Sequence, residues 1–281
     1  MKYLKQILSF LIYSNLFIAA CAVLMVQQTA WLLLHANADS NLVKFVFFST
    51  LCSYNFHYYL TTHSVIPSAR IKWQLRNRLP VLLLLIAGFA GAVFFFIRLK
   101  EHWLWLTPAV IATFLYSAPK IPHPLFHQLR KVAIGKTIFL AFVWMYVTGA
   151  LPLLISDVHW NTGFTCYAVN RFFFIYCISI LFDYRDRADD KAAGVRSLIT
   201  YLNEKQITRL FLFSWFVFAA TSFLLGNYGV SALNIALLLV PGCITGLLYN
   251  YARKNFSDLL YFVVLDGLMA FAALLMLIAR I

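Results

Sequence analysis

Acidic residues are scarce in this chain: ten Asp and Glu stand against 23 Lys and Arg in 281 residues. Charged residues reach only 12%, about half their share in soluble domains, which excludes an ordinary water-soluble globule. Cysteine is sparse as well. Cys21, Cys52, Cys166, Cys177 and Cys243 show no CxxC spacing, which argues against a disulfide framework or a zinc site and leaves them as small core residues. Pro- or Gly-rich linkers and low-complexity tracts are missing, so residues 1–281 read as a single domain. Segments of about ten residues with alternating polarity are missing too, which excludes a membrane barrel.

Apolar side chains are what the sequence has in quantity. They make up 62% of it, with 27 Phe and 15 Tyr. Many apolar runs approach the ~20 residues that a helix needs to cross a hydrocarbon core of about 30 Å, and a helix satisfies its own backbone in lipid. The expected fold is all-α: a polytopic membrane protein of about nine transmembrane helices. The spans fall near 9–34, 42–60, 80–99, 103–117, 133–155, 164–182, 206–226, 231–250 and 258–279. The opening "MKYLKQILSFLIYSNLFIAAC" mimics a cleavable leader, but apolar residues continue through Leu34, so it reads as an uncleaved first span.

A net charge of +13 invites a nucleic-acid reading, which the distribution of the charge rejects. Basic residues crowd the segments on one side of the spans, while the opposite loops 156–163 and 227–230 hold none. That asymmetry is the positive-inside pattern. It predicts a multi-pass protein of the cell (inner) membrane, N-terminus cytoplasmic and C-terminus outside, with the lipid bilayer and no nucleic acid as partner.

The few acids are not spread evenly. Asp183, Asp186, Asp189 and Asp190 follow directly on the apolar run of the sixth span. Asp183, Asp186 and Asp190 share one face of a continuing helix, while Asp189 falls on another. Like charges on one face repel unless a cation is present. Three hard oxygens at a membrane boundary suit Mg²⁺, which accepts one or two carboxylates plus waters and substrate phosphates. A solvated loop of mixed charge is the other reading, since Arg185, Arg187, Lys191 and Arg196 are interspersed. Tyr116 and Lys120 stand four residues apart in "FLYSAPKIP" at the end of the fourth span. They are either a snorkelling lysine with an interfacial tyrosine or a phosphate-binding cation beside a hydroxyl.

"DYRDRADDKAAGVRSL" resembles the second aspartate-rich motif of the UbiA family of intramembrane prenyltransferases, and "LYSAPK" resembles that family's Y-x-x-x-K element. The layout is similar along nearly the whole chain. The family's first motif, N-D-x-x-D-x-x-x-D, corresponds here to "NFHYYLTTH": Asn55 matches, but Phe56, Tyr59 and His63 stand where the aspartates would be. One and the same spacing separates Phe56, Tyr59 and His63 from Asp183, Asp186 and Asp190. The tyrosines of "LYSAPK" and "LYNYARK" pair at a similar offset, so the chain reads as two four-helix pseudo-repeats plus one helix.

The resemblance implies transfer of an isoprenyl group from a prenyl diphosphate to a lipophilic, often aromatic, acceptor with Mg²⁺ as cofactor. Asp183, Asp186 and Asp190 would hold the metal, and Asp183, Asp186 and Lys120 would carry catalysis, Lys120 on the diphosphate. Asn55 would orient ligand or metal-bound water, and Tyr116 would face the prenyl chain or acceptor. Tyr59 and His63, with basic side chains from 61–79, would supply charge where the first motif lacks acids. Lys191, Arg130 and Lys131 are further cations. Two alternatives stand beside this: a homologue that binds the prenyl lipid without transfer, and a small-molecule transporter. For a transporter, the charges inside predicted spans are Arg171, placed to snorkel towards the outer face, and Asp266, placed to cap an internal network or to pair with a buried cation. Among the histidines only His63 falls on an expected ligand position; His57 reads as structural.

Overall fold

A computed structural model describes residues 2–61, 68–121, 123, 135–192 and 197–279. His63, His127, Arg130, Lys131 and Gly194 lie outside the described residues. The described chain is helical, without a strand. The main elements are α1 (Lys2–Tyr13), α2 (Leu16–Leu33), α3 (Ser40–Tyr59), α4 (Ala69–Arg76), α5 (Arg78–Arg98) and α6 (Trp103–Ser117). They continue with α7 (Lys136–Leu154), α8 (Thr162–Ala192), α9 (Glu204–Leu224), α10 (Ala232–Ala252) and α11 (Leu260–Ala279). Seven segments are long and apolar enough to cross a membrane: α2, α5, α7, α8, α10, α11, and α9 with its following turn. The chain is therefore a multi-pass membrane protein.

Local sequence sets the boundaries. The expected first span is divided at Ser14–Asn15, where Asn15 takes a left-handed conformation at φ 68°. Asparagine tolerates that region because its short amide can bond locally. Asp39 begins α3 by accepting from the backbone N–H groups of Asn41 and Leu42, both at 2.8 Å. Asn203 and Gln206 close a reciprocal cap at the start of α9.

Two of the expected spans, α3 and α6, form as helices but fall outside the seven. α6 has 15 residues and is extended at both ends by 3₁₀ turns, Lys100–His102 and Ala118–Lys120. α3 is 20 residues long but mixes Ser, Thr, Asn and His into its apolar run. Those polar residues have a use: Ser49, Thr50, Ser53 and His57 line an internal cavity.

Close helix approach builds the rest. α5 lies so near α3 that a Cβ on Gly88 would sit 2.8 Å from the backbone nitrogen of Cys52, the small-residue contact by which helices associate in lipid. α8 is the longest helix at 31 residues and packs against α7, α9 and α10. α11 leans on α2 and α10. α7 and α11 each contain a π-helical stretch, Tyr146–Ala150 and Leu260–Leu265.

Candidate active site

A cavity of about 1700 Å³ runs between α3, α5, α6, α7, α8 and α11. Its walls change character along its length. Phe45, Phe96, Phe139, Trp144, Val147 and Ile175 make an apolar gallery. The C-terminal ends of α3, α6 and α8 and the N-terminal end of α7 bring His57, Tyr58, Thr61, Tyr116, Lys120, Lys136, Asp183, Asp186 and Asp190 to the other end. Ile86, Phe89, Val93, Val110 and Phe114 line the cavity and are also exposed on the outside of α5 and α6. Those consecutive helices share little direct contact. The gallery therefore opens sideways, through a face that lipid would cover.

The acidic face is largely buried and partly neutralised from within the chain. Asp183 and Asp190 are only 4% and 8% exposed. Lys136 opens α7 and places its ammonium 3.3 Å from Asp190 and 3.8 Å from Asp183. The hydroxyl of Thr137 donates to Asp183. One cation thus bridges the first and last acids of the 0, 3, 7 pattern, which relieves the like-charge repulsion expected of it. Asp186 also lines the cavity, and so does Asp189, contrary to the expectation that it turns to another face.

Lys120 stands across from this face in the 3₁₀ turn after α6 and hydrogen-bonds the hydroxyl of Thr61. Burial, reinforced by the charge of Lys136 and opposed by Asp186 and Asp190, lowers its pKa to about 7. Tyr116 lines the cavity and stacks on His57 with ring centroids 5.3 Å apart. Ser117 Oγ lies 3.4 Å from His57 Nδ1.

Arg70 and Arg185 complete the cationic side. Arg70 is 2% exposed, donates to the amide oxygen of Asn15, and lays its guanidinium over Tyr58 and Phe262 at 3.8 and 4.3 Å. Arg185 pairs with Asp258 at 2.6 Å. Asp258 also accepts from the Ser68 hydroxyl and the Arg70 backbone N–H, so it ties the start of α4 to α8. Of the described basic side chains in 61–79, Arg70 lines the cavity.

Several residues singled out in the sequence sit elsewhere. Asn55 is fully buried and does not line the cavity; its amide donates to the carbonyls of Ser14 and Leu51 and accepts from Asn15. It holds the break between α1 and α2. Tyr59 is 41% exposed and faces away from the cavity. His57, two positions earlier, takes the inward position that the repeat spacing assigns to Tyr59. Lys191 is exposed and outside the cavity wall. Arg171 does not snorkel outward: it is 3% exposed, and its guanidinium donates to Gln28, Thr29, Tyr167 and the Met25 carbonyl.

The residues missed were Lys136, His57 and Arg185, and Arg70 was anticipated only collectively, among the basic side chains of 61–79. Positive-inside statistics account for basic residues at span ends, so nothing in the sequence separated Lys136 and Arg70 from Arg187 and Arg253, which pair with Glu204 on the surface.

The donor chemistry suits magnesium in part. Among the described residues no three His, Cys, Asp or Glu side chains converge as a ready metal cage, because Lys136 stands between Asp183 and Asp190. What remains is a set of carboxylate oxygens on one cavity wall, with Asp186 between them. That set fits a Mg²⁺ ion sharing its shell with waters and phosphate oxygens.

No family model matches the chain, and neither a curated protein nor a solved structure matches it.

Proposed function

We propose that the chain is an intramembrane prenyltransferase of the UbiA kind, transferring an isoprenyl group from a prenyl diphosphate to a lipophilic acceptor. The observation that carries this reading is the cavity, which joins a buried cluster of acids and cations to an apolar gallery open towards lipid. A prenyl diphosphate has that same division, a long hydrocarbon ending in a compact anion. The gallery would take the chain. Lys136 and Arg70 would meet the diphosphate as fixed positive charges, and Lys120 in its protonated form, in a site that excludes water. Transfer breaks the allylic C1–O bond, whose electron pair leaves with the diphosphate. The acceptor then forms the new bond to C1 and sheds a proton.

Asp186, with Asp183 and Asp190, would hold Mg²⁺, whose charge would offset that building up on the leaving diphosphate. Tyr116 and His57 would form the floor between head group and gallery. The full architecture belongs to the same proposal: nine crossings with α3 and α6 included, N-terminus cytoplasmic and C-terminus outside, in a cell membrane. The two-half reading draws support from the packing. α2–α3 and α7–α8 are extensive pairings, as are α3–α5 and α8–α9, and these correspond in the two halves.

The test is incubation of the protein in lipid with labelled prenyl diphosphates, with and without Mg²⁺, beside an Asp183→Ala/Asp186→Ala variant. Metal-dependent binding that the variant loses supports the reading, and binding indifferent to both overturns it. Product formed on an aromatic acceptor separates a transferase from a binder. The binder has one observation in its favour: Lys136 already occupies the position between Asp183 and Asp190. Ion-driven uptake into vesicles would identify a transporter instead.

A further inference from the structure

The roles assigned to the cavity leave out Asp266, an acid set apart from the cluster on α8. Asp266 stands in α11 immediately after the π-helical stretch Leu260–Leu265. It is 7% exposed and lines the cavity. Among the described residues, no hydrogen-bond donor or ion-pair partner reaches its carboxylate. Arg70 and Arg185 act on it only through space. Both are engaged elsewhere, Arg70 by Asn15 and the Tyr58 ring and Arg185 by Asp258.

A buried carboxylate without a partner is costly. The local backbone supports a purpose for it. A π stretch adds a residue to the turn and re-aims the side chains that follow, and such stretches recur at functional sites. Here the residue directly after the stretch is the acid on the cavity wall. Its surroundings are apolar, aromatic and cationic: Phe262 and Met269 flank it on α11, and the guanidiniums of Arg70 and Arg185 lie over the Phe262 ring. A neutral ring bearing a single donor suits such walls better than a strongly hydrated cation. Tyr58 is within electrostatic reach of both Asp186 and Asp266, so the acid adjoins the head-group end without belonging to the acidic face.

We infer that Asp266 selects the acceptor: its carboxylate receives the hydrogen bond of a phenol-class hydroxyl and holds that ring beside the gallery. This rests on the prenyl-transfer reading for its place in a reaction, although the binding itself does not. The residue is a specificity determinant, and no proton transfer is ascribed to it.

The experiment uses two probes of nearly the same shape, 4-hexylphenol and its methyl ether 4-hexylanisole, titrated into the full chain in lipid nanodiscs with empty nanodiscs as baseline. The native chain is expected to prefer the phenol by about tenfold, the worth of one hydrogen bond to a charged acceptor. Asp266→Leu is expected to bind both probes equally, and Asp266→Asn to keep a reduced preference. Thermal melting establishes which variants are folded, and if the leucine variant is not, a preference reduced at least threefold in Asp266→Asn carries the test. Equal binding of the two probes by the native chain overturns the inference, as does native discrimination in a folded Asp266→Leu chain. Inorganic pyrophosphate binding is measured in parallel and is expected to be unchanged by either substitution. If the native chain fails to bind pyrophosphate, the prenyl-diphosphate reading falls, while the phenol-to-ether ratio still decides the role of Asp266.

Discussion

Lys136 reaches Asp190 at 3.3 Å across the boundary between α7 and α8, so a cation from one helix is set into the acidic face of the next. Replacing it with methionine leaves Asp183 and Asp190 buried without their positive partner. Breaking a buried pair from one side costs about 3–5 kcal/mol. We expect Lys136→Met to melt well below the native chain and to recover part of the loss in millimolar Mg²⁺, the ion taking over the vacated charge. Differential scanning calorimetry in nanodiscs, with and without Mg²⁺, checks this, and equal Mg²⁺ responses in the two proteins would count against it.

Lys120 gives the site a pH response. Burial and the neighbouring Lys136 favour its neutral form, lowering its pKa to about 7. The charged ammonium is therefore fully present well below pH 7 and is lost as pH rises through that value. Between pH 6 and pH 8, about one unit either side of that value, pyrophosphate affinity should fall relative to that of a chain whose cation does not titrate, since the anion itself only gains charge over that range. Lys120→Arg keeps its charge throughout, so its affinity should follow the ionisation of pyrophosphate alone, and the native-to-variant ratio should fall over the same range. Titration calorimetry of the two proteins at three pH values separates these outcomes.

Asn55 separates the resemblance from the geometry. As a ligand residue, its loss would weaken pyrophosphate binding. As the clasp on the α1–α2 break, its loss takes the Asn55 partner from the Ser14 carbonyl and from the amide NH2 of Asn15 in a buried place. We expect Asn55→Ala to lower stability by about 1–3 kcal/mol and to leave the pyrophosphate Kd within twofold of the native value.

Gly88 tests the packing that shapes the gallery wall. A side chain there meets the Cys52 backbone at 2.8 Å, and backbone cannot swing aside. Gly88→Val should destabilise the chain by about 1–3 kcal/mol or more, as overpacking does. At Gly135 a Cβ would meet nothing within 4 Å among the described residues, so alanine there should change the melting temperature little.

Much of this arrangement was legible in the sequence because two of its signals are local. Apolar run length located the helices, and the 0, 3, 7 spacing put Asp183, Asp186 and Asp190 on one wall. Tyr116 and Lys120 arrived at that wall through a short motif at a helix end. The break at Asn15 escaped because a single buried left-handed asparagine hardly alters an apolar run. Tyr59 and His57 exchanged expectations because a repeat offset fixes position along a helix only to within a residue or two, while a 100° step per residue decides what faces inward. Lys136 and Arg70 were hidden for a different reason. Their partners lie on helices far away in sequence, and basic residues at span ends are expected whether or not they have a partner.

Arg171 has a consequence for how the chain is built. Among the described residues its guanidinium has no acidic partner and relies on Gln28, Thr29 and a carbonyl of α2, together with Tyr167 of its own helix. Inserted alone, α8 would carry that charge into lipid at a cost of roughly 2.5–3.5 kcal/mol on insertion scales. α2 precedes α8 in the chain and leaves the ribosome first, so the side chains that will receive Arg171 are in the bilayer before it arrives. The biogenesis of α8 thus depends on α2, and a chain translated without α2 would release α8 into the membrane with its arginine unhoused.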